Sequence, residues 1–595
     1  MPDLKKELIA MESHRSLFEE AIRGLQTPVL PVFQKGSALV PVAFDKVGET
    51  LTGKDDAAVK ALFPRTTAAH GNKVLRISGA NAKPMKGLRV AVLFSGGPAA
   101  GGHNVVTGLK AILGKENTLV GIKAGPKGLI EGKTMEITEA DCRLIQNTGG
   151  FDFLGSDRTK IKTPEQFEAV RKTCREQRLD AVVVVGGDDS NTNAAVLAEK
   201  LGPDGVRVIG VPKTIDGDLQ VASLLPISFG FDTATKIYAE MVGNILQDTP
   251  SSRKYWHFIK LMGRAASHVA LEVALQTRPA LCLVSEEVAE RKYSLADLVD
   301  QVAQVVVARA KKGLQHGVVV IPEGLIEFIP EVNALIAELN EVLAHHEAEL
   351  GGMDLAGKRG FLAGHASEAC GKLFATLPEY IQEMLLLERD SHGNLQVSLI
   401  PTERLLMDMV KARVKAIDPG VKFSSLNHFF GYEGRCGVPS LFDAAFCYNL
   451  GLTAGSLVLA GKSGYMAAVT GFDRGGEALG IPLTGLINLE RRHGQNEAVI
   501  EKALVKTGSP AFRFFAERRD SWAASDLFTS PGPRQLWGEV SRQVPISVAL
   551  NQGYGSIVMN LGGKLAKATA AKKASKTPKK SPKKAAKKAK KSKKK

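Results

Sequence analysis

Cysteine is scarce in this sequence and is not arranged as a disulfide framework. The chain has six cysteines among 595 residues, and no two of them are spaced as Cys-x-x-Cys. A chain of this length does not need disulfide bonds to stabilise its core, so we expect reduced thiols. The first residues, Met1–Glu7, lack the apolar core of a signal peptide. No apolar run approaches the roughly 20 residues that span a bilayer. We therefore expect a soluble cytoplasmic protein without a membrane anchor.

Acidic residues are absent from the C-terminal end of the chain. Residues 564–595 contain 16 lysines and no Asp or Glu, so the formal net charge of +16 belongs to this tail, and residues 1–563 are formally neutral. The tail also lacks aromatic residues, so it cannot bury enough surface to offset the entropy of ordering. We expect a disordered Lys-rich tail that binds polyanions weakly, and a body that does not itself bind nucleic acid.

Short apolar runs alternate with segments of helical periodicity from Leu88 onward. Leu88–Phe94 ends at Ser95-Gly96-Gly97, and Leu179–Val185 ends at Gly186-Gly187. Other runs of this kind are Val206–Val211, which ends at Pro212, and His257–Met262, Ala280–Val284 and Gly317–Ile321. Continuous β-branched runs are typical of strands buried on both faces of a parallel sheet. The gaps leave room for helices, for example Asn191–Lys200 and Thr233–Leu246. The pattern predicts a doubly wound α/β fold, whose ligands bind at the carboxyl ends of the strands.

The composition divides the chain into five predicted segments. They are an N-terminal extension over residues 1–85, an α/β core over 86–329, a mostly helical insertion over 330–425, the remainder of the α/β core over 426–563, and the tail over 564–595. The insertion is rich in Glu, Leu and Ala with helical periodicity, as in Val332–Leu350 and Ser367–Glu388.

Two glycine-rich turns follow predicted strands. The turn Ser95-Gly96-Gly97 leads into a predicted helix, and such turns let backbone N–H groups approach an anion. A tight turn that binds nothing is the alternative. In Gly186-Gly187-Asp188-Asp189, two adjacent carboxylates follow a strand, where they could hold Mg²⁺ with phosphate oxygens. The alternative is a helix N-cap by Asp189 or Ser190, which would use only one of the two acids.

The segment after the next strand combines a lysine with two carboxylates. Lys213 precedes Asp216 by three residues, and Asp218 follows after a glycine. Phosphoryl transfer to an alcohol requires a base near the hydroxyl, a metal, and cations around the moving group. This cluster could supply both base and cation. An Asp-Gly turn without chemistry is the alternative.

Three further polar motifs also end predicted strands or follow them closely. They are Met262-Gly263-Arg264, Pro322-Glu323-Gly324 and Gly431-Tyr432-Glu433-Gly434-Arg435. Arginine suits bidentate capture of phosphate. Each motif alone is weak evidence for a phosphate-binding site, whereas the order of all the motifs along the chain is specific.

The order of the six motifs resembles that of the phosphofructokinase family, and within it the pyrophosphate-dependent long-chain branch. In that family the motifs run Ser-Gly-Gly, Gly-Gly-Asp, Thr-Ile-Asp-x-Asp, Met-Gly-Arg, Pro-Glu-Gly and a late Gly-aromatic-x-x-Arg, and all six occur here in that order over roughly residues 88–470. The resemblance implies two α/β lobes with the active site in the cleft between them. It also implies a reversible, Mg²⁺-dependent transfer of a phosphoryl group from pyrophosphate to the 1-hydroxyl of fructose 6-phosphate.

The resemblance implies a role for each matching residue. Gly96 and Gly97 would contact the donor phosphate, Asp188 would bind Mg²⁺ with Asp218 as a supporting acid, and Asp216 would be the general base. The residues expected to bind the sugar phosphate are Thr214, Ile215, Asp216, Met262, Gly263, Arg264, Glu323, Tyr432, Glu433, Gly434 and Arg435, with Tyr432 and Arg435 as the clamp on the 6-phosphate.

Three further residues are assigned in the same way. Arg158 would steady the transferring phosphoryl group. Lys254 and Tyr255 would reach the substrate site of a neighbouring subunit, which implies at least a homodimer.

Two positions are expected to select the phosphoryl donor. ATP-dependent members of the family usually carry glycine where this chain has Asp189, and a small residue where it has Lys213. A carboxylate at 189 would fill and repel the space for an ATP α-phosphate, whereas a lysine at 213 could pair with pyrophosphate. Tyr255 and Tyr432, at positions where arginine and histidine are common in ATP-dependent members, also agree with the pyrophosphate branch.

Three other functions compete with this one. An ATP-dependent 6-phosphofructokinase is opposed by Asp189 and Lys213. A non-catalytic regulatory subunit of the same family should lose the base or the metal ligand, yet Asp216 and Asp188 are both present. A nucleic-acid-binding protein is suggested by the tail alone, so such binding would be an accessory property at most.

Overall fold

Two β-sheets form the framework of the computed structural model, which describes residues 16–386, 399–492 and 495–555. The strands of these residues are, in chain order, β1 (Gln34–Lys35), β2 (Ala38–Leu39), β3 (Val42–Ala43), β4 (Lys46–Thr50), β5 (Lys73–Arg76), β6 (Gly79–Ala80), β7 (Arg89–Ser95), β8 (Thr118–Ile122), β9 (Thr134–Ile137), β10 (Ser156–Asp157), β11 (Ala181–Gly186), β12 (Arg207–Thr214), β13 (Phe229–Gly230), β14 (Tyr255–Leu261), β15 (Leu281–Cys282), β16 (Gly317–Pro322), β17 (Ser424–Phe430), β18 (Tyr465–Thr470), β19 (Glu477–Pro482), β20 (Ile487–Arg492) and β21 (Gln495–Ile500).

The α-helices of the same residues lie between and around these strands. They are Leu17–Arg23, Asp56–Leu62, Pro64–His70, Gly102–Leu113, Gly125–Glu131, Glu139–Ile145, Pro164–Glu176, Asp188–Leu201, Phe231–Ser252, His268–Thr277, Ser285–Arg291, Leu295–Ala310, Pro330–His345, Glu347–Leu350, Leu355–His365, Glu368–Thr376, Glu379–Leu386, Thr402–Ile417, Leu441–Leu459, Pro510–Ala516, Arg519–Ala524 and Ile546–Gln552.

The large sheet has the strand order β4-β5-β19-β18-β12-β11-β7-β8-β9, with β10 paired to β7 and β13 to β12. Its centre, from β18 to β8, is parallel, and antiparallel strands flank it on both sides. Successive residues of β11 enter different cores, with Val183 and Val185 in one and Val182 and Val184 in the other. Both faces are therefore covered, which is why these strands are continuous apolar runs.

The small sheet has the order β15-β16-β14-β17 and is parallel throughout. Its inner face shares the main core of the large sheet through Ile259 and Leu261. Its outer face packs through Phe258 and Ile321 against the helices of the predicted insertion. The predicted fold of two α/β lobes with added helices is confirmed.

The predicted strands are all present with bounds shifted at their ends, and two of them show why. The strand predicted to end before Pro212 continues to Thr214, because β13 pairs with Lys213 and Thr214 where β11 has ended. The predicted strand Ala280–Val284 shrinks to β15, because the chain turns into the helix Ser285–Arg291. Both differences lie at strand ends, where the neighbouring element decides the boundary.

The insertion is helical as predicted, with additional breaks. The predicted segment Val332–Leu350 is a helix to His345 and a separate short helix from Glu347. Ser367–Glu388 is divided at Leu377-Pro378, because the residue before a proline is disfavoured in the helical conformation. Residues 387 and 388, like the tail over 564–595, lie outside the described residues. The five-segment division of the chain stays a prediction.

One helix, Leu441–Leu459, is long and apolar enough to cross a membrane by composition, yet it is almost wholly buried inside the fold. It packs against the helix Gly102–Leu113, and side chains at Gly108 or Gly451 would overlap backbone of the facing helix. The prediction that no apolar run approaches 20 residues overlooked this helix, which Asp443 interrupts. Its burial identifies it as a core helix. All six cysteines are free thiols, as expected.

Candidate active site

The carboxyl ends of strands from both sheets converge on one cavity of about 460 Å³. The large sheet contributes residues that end or follow β7, β10, β11 and β12, and the small sheet contributes residues after β14, β16 and β17. The lining residues are Ser95, Gly96, Gly97, Pro98, Arg158, Thr159, Lys160, Gly187, Asp188, Asp189, Ser190, Asn193, Lys213, Thr214, Ile215, Asp216, Asp218, Met262, Arg264, Glu323, Tyr432, Arg435 and Lys502.

The glycine loop after β7 forms one wall of this cavity. Gly96 has a φ of +85°, a conformation that favours glycine. Its N–H donates to the carbonyl of Asp157 at 2.9 Å, and the Ser156 hydroxyl donates to the Gly96 carbonyl at 2.8 Å. A side chain at Gly97 would overlap the guanidinium of Arg435. The loop is therefore hydrogen-bonded to β10 on one side and contacts the guanidinium of Arg435 on the other.

The helix Asp188–Leu201 begins at the cavity with both acids of the Gly-Gly-Asp-Asp motif in its first turn. Its N-cap is Gly187, so the alternative that Asp189 or Ser190 caps this helix is wrong. Ser190 instead donates from its hydroxyl to the Ser95 hydroxyl at 2.8 Å, which ties the helix to the glycine loop. Carboxylates in the first turn are stabilised by the helix dipole.

The end of β12 and the loop that follows it bring a buried lysine, Lys213, close to a partly buried acid, Asp216. Burial lowers the pKa of Lys213 to about 8, although the nearby Asp216 carboxylate opposes this shift. Burial, together with the charges of Asp218 and Glu323, raises the pKa of Asp216 to about 6. At neutral pH the lysine is therefore mostly charged, and the aspartate is mostly ionised yet a better base than an exposed carboxylate.

The small sheet closes the opposite side of the cavity. Glu323 accepts a hydrogen bond from the Gly263 N–H at 2.9 Å, and burial raises the pKa of its carboxyl group. Tyr432 is 73% exposed, and the guanidinium of Arg435 lies 5.2 Å from its ring centre. Arg435 also donates from Nε to the Pro98 carbonyl at 3.4 Å. This arginine thus joins the small-sheet side to the glycine loop of the large sheet.

Comparison with known proteins agrees with this geometry. The sequence profile of the family described as Phosphofructokinase matches residues 89–458. The chain belongs to the phosphofructokinase family. It is 44% identical to a pyrophosphate--fructose 6-phosphate 1-phosphotransferase of Entamoeba histolytica, over 88% of this chain and 97% of that protein.

Two further relatives carry similar names. The chain is 48% identical to the pyrophosphate--fructose 6-phosphate 1-phosphotransferase of Treponema pallidum, over 81% of this chain and 88% of the other. It is 46% identical to the β subunit of that name from Solanum tuberosum, over 78% of this chain and 82% of the other. The predicted family resemblance is confirmed.

Most of the residues that the phosphofructokinase motifs predicted do line the cavity, and five do not. Gly263 lies behind Glu323, as its donor, and Glu433 accepts from the Gly431 N–H at 2.7 Å. Gly434 packs on the ring of Tyr238, where a side chain would not fit. These three residues lie outside the cavity lining and support the residues that form it. Their contacts with substrate stay predictions.

Lys254 and Tyr255 also lie away from this cavity. They stand at the start of β14, whose other end reaches the cavity, and the Lys254 ammonium lies 4.9 Å from the Tyr255 ring centre. A seven-residue strand spans roughly 20 Å. The two residues therefore do not serve the cavity of their own chain, and their role in a neighbouring subunit stays a prediction.

The sequence motifs missed several cavity residues, of which Lys502 is the most informative. Lys502 lies beyond residues 88–470, the span of the motifs that resemble the phosphofructokinase family, so the lining is not confined to that span. Its Nζ lies 4.0 Å from Asp188 Oδ2 and 3.9 Å from Asp218 Oδ2. No glycine-rich turn or acidic pair marks this lysine in the sequence, so no local signal could have found it.

The two predicted metal ligands fit a divalent cation. Asp188 and Asp218 each direct an oxygen toward the same ammonium group, so both carboxylates face one point of positive charge. The described residues contain no cluster of three or more His, Cys, Asp or Glu side chains arranged as metal ligands. Two carboxylates suit Mg²⁺, which takes its other ligands from water and phosphate oxygens.

Proposed function

We propose that this protein transfers a phosphoryl group from pyrophosphate to the 1-hydroxyl of fructose 6-phosphate, giving fructose 1,6-bisphosphate and phosphate. The relatives named above carry this activity in their names. Because donor and product are both simple phosphates, the reaction runs close to equilibrium in both directions. The residues of the cavity support each part of this reaction.

The observation that carries the proposal is the position of Lys213 and Asp189 in the donor half of the cavity. Lys213 is 9% exposed, and its ammonium faces Gly96 of the glycine loop. Asp189 lines the same cavity from the first turn of its helix. A buried cation beside the glycine loop attracts a compact polyanion, whereas the carboxylate at 189 disfavours a third phosphate group. Together they favour pyrophosphate over ATP.

Asp216 supplies the base in this reaction. Its carboxylate accepts the proton of the sugar 1-hydroxyl as that oxygen bonds to the near phosphorus of pyrophosphate. The bond from this phosphorus to the bridging oxygen breaks, and phosphate leaves with the bond electrons. In the reverse direction the protonated Asp216 returns the proton to the sugar oxygen. Lys213, Arg158 and the Gly97 N–H stabilise charge on the moving group and the leaving phosphate.

Mg²⁺ belongs to the proposal as a cofactor. Asp188 and Asp218 would hold it, and when bound it neutralises and orients the oxygens of pyrophosphate. Thr214, Met262, Arg264 and Glu323 would contact the sugar, on the side of the cavity formed by the small sheet and the end of β12.

A donor-swap assay tests the function. The purified protein is given fructose 6-phosphate, Mg²⁺ and either pyrophosphate or ATP, and fructose 1,6-bisphosphate is measured. We expect product with pyrophosphate and little with ATP, and none above background with Asp216→Ala. ATP-dependent turnover at a comparable rate would contradict the assignment of the donor, and no turnover with either donor would contradict the function.

We also propose that the enzyme works as a homodimer in which Lys254 and Tyr255 complete the partner's sugar-phosphate site. Their position at the far end of β14 supports this. Mixing a Lys254→Ala chain with an Asp216→Asn chain should restore activity, because one site of the mixed dimer then has both functional residues. Failure of complementation in verified mixed dimers would contradict shared sites. A monomer by light scattering would contradict the dimer.

A cytosolic location completes the proposal and is supported by the six free thiols, since disulfides are rare in the cytosol. Fractionation of cells that express a tagged chain tests it, and recovery in a membrane or secreted fraction would contradict it.

A further inference from the structure

The segment that follows β21 connects the two lobes beside the cavity. At its start, Ile500 donates its N–H to the Thr192 hydroxyl at 3.1 Å, on the large-sheet helix that begins with Asp188. Five residues later, Val505 donates its N–H to the Glu286 carboxylate at 2.9 Å, on the helix that follows β15 of the small sheet. Residues 500–505 therefore form a strap that is anchored on both sides.

The middle of the strap is fixed to the proposed metal site. Ala503 donates its N–H to the backbone carbonyl of Asp218 at 2.7 Å, and its own carbonyl accepts from His268 Nε2 at 2.8 Å. Because a carbonyl oxygen only accepts, Nε2 of His268 carries the proton of this bond, and partial burial lowers the pKa of the imidazole. These two bonds hold the backbone next to Lys502 in place on both sides.

The ammonium of Lys502 faces the two acids without bonding to them. Its distances of 4.0 Å to Asp188 Oδ2 and 3.9 Å to Asp218 Oδ2 exceed hydrogen-bond length. Among the described residues, no hydrogen bond is formed by this ammonium, and Lys502 is 40% exposed on its side chain. Its three donors thus remain available to a ligand in the cavity.

A ligand with several negative charges needs cations here. Asp188, Asp189, Asp216 and Asp218 all line the cavity and repel an anion. Lys213 is buried on the side of the glycine loop, whereas Lys502 stands over the acid pair. A point-like ammonium on a long, flexible side chain suits phosphate oxygens and can adjust its position as a ligand enters.

We propose that Lys502 is a pyrophosphate-binding residue that also serves as the internal counter-ion of the Asp188–Asp218 pair when the donor is absent. This inference rests on the proposed function. It predicts that removing the Lys502 charge strengthens Mg²⁺ binding in the absence of pyrophosphate and weakens pyrophosphate binding in the presence of Mg²⁺. Lys502 competes with a divalent cation for the acid pair, and it cooperates with the cation once pyrophosphate adds negative charge between them.

Both predictions are tested by calorimetric titration with Mg²⁺ and with pyrophosphate. The proteins compared are wild type, Lys502→Met, Lys502→Arg and Lys506→Met. Lys506 is an exposed lysine four residues along the same chain segment, so it is the matched control. At saturating Mg²⁺, we expect Lys502→Met to bind pyrophosphate about 10- to 100-fold more weakly, as expected for a lost charged hydrogen bond. Without pyrophosphate, we expect the same variant to bind Mg²⁺ several-fold more tightly. Lys502→Arg should stay near wild type in both titrations, and the control Lys506→Met should be indistinguishable from wild type.

Steady-state kinetics separate a donor-site role from a general loss of structure. Lys502→Met should raise KM for pyrophosphate and leave KM for fructose 6-phosphate within about twofold, with an unchanged Tm. Equal pyrophosphate affinity in wild type and Lys502→Met would overturn this inference but not the proposed function. Weaker Mg²⁺ binding by Lys502→Met, or an equal rise in KM for both substrates, would do the same. A wild-type protein that does not bind pyrophosphate would overturn both the proposed function and this inference.

Discussion

The hydroxyl of Thr214 donates a hydrogen bond to the carboxylate of Asp218 at 2.9 Å and so closes the loop that carries Asp216. The same hydroxyl accepts the Asp216 N–H at 3.1 Å, and Gly217 has a φ of +74°, which permits the turn. One side chain thus ties the base to the proposed metal ligand. A general base must be held within hydrogen-bond reach of its proton, and this loop provides that rigidity.

Replacing the proposed base should separate activity from stability. Asp216→Asn is expected to lower kcat by about 10²- to 10⁴-fold, because it removes a positioned base. Burial raises the pKa of Asp216 to about 6, above its usual value of about 3.9, so ionising it destabilises the folded state as pH rises above about 4. The variant should therefore have a higher Tm than wild type at pH 8 and a smaller gain at pH 5. Turnover above about a third of wild type would remove Asp216 from the role of base.

The pH profile of kcat/KM for pyrophosphate should be bell-shaped. The acid limb falls below about pH 6, where Asp216 becomes protonated, and the alkaline limb falls above about pH 8, where Lys213 loses its charge. Lys213→Arg keeps its charge at all these pH values, so its alkaline limb should move upward. An alkaline limb that stays in place in this variant belongs to the substrate or to another group.

Donor selection can be tested with a double substitution. Asp189→Gly should relax the barrier to ATP, and adding Lys213→Gly should weaken the use of pyrophosphate further, because both residues line the donor half of the cavity. The ratio of kcat/KM for the two donors is the measurement. A double variant that gains no ATP activity and keeps its full preference for pyrophosphate would refute the selectivity argument.

Arg435 should act mainly on the sugar phosphate. Arg435→Ala is expected to raise KM for fructose 6-phosphate more than KM for pyrophosphate, because a charged hydrogen bond contributes about 1.5–3 kcal/mol. Its guanidinium also contacts the loop at Gly97 and Pro98. If both KM values rise equally, the contact with the glycine loop is the more important of the two.

The Lys-rich tail should be dispensable for catalysis. Deleting residues 564–595 removes 16 lysines and none of the residues that line the cavity. We expect unchanged pyrophosphate-dependent turnover and the loss of weak, salt-sensitive binding to DNA, RNA or polyphosphate, because a dense run of lysine side chains binds polyanions by counterion release. Mobility shifts over a salt series measure this. Binding that survives the deletion would show that the formally neutral body contributes.

Some properties were determined by the sequence itself. The alternation of buried β-branched runs with helical segments specified the two α/β lobes, because strands buried on both faces must be apolar at every position. The polar motifs that follow those runs located the acids Asp188, Asp216 and Asp218, since the carboxyl ends of parallel strands meet at one edge of a sheet. These are local signals, and they need no knowledge of how distant segments approach.

Only the tertiary structure decided the remaining features of the site. Lys502 reaches Asp188 and Asp218 because the strap after β21 is bonded to both lobes, a contact between residues about 300 positions apart in the chain that no local pattern encodes. The contact of Arg435 with Gly97 likewise requires the two lobes to meet. The shifted pKa values of Asp216 and Lys213 arise from burial and neighbouring charges, which exist only once the chain has folded.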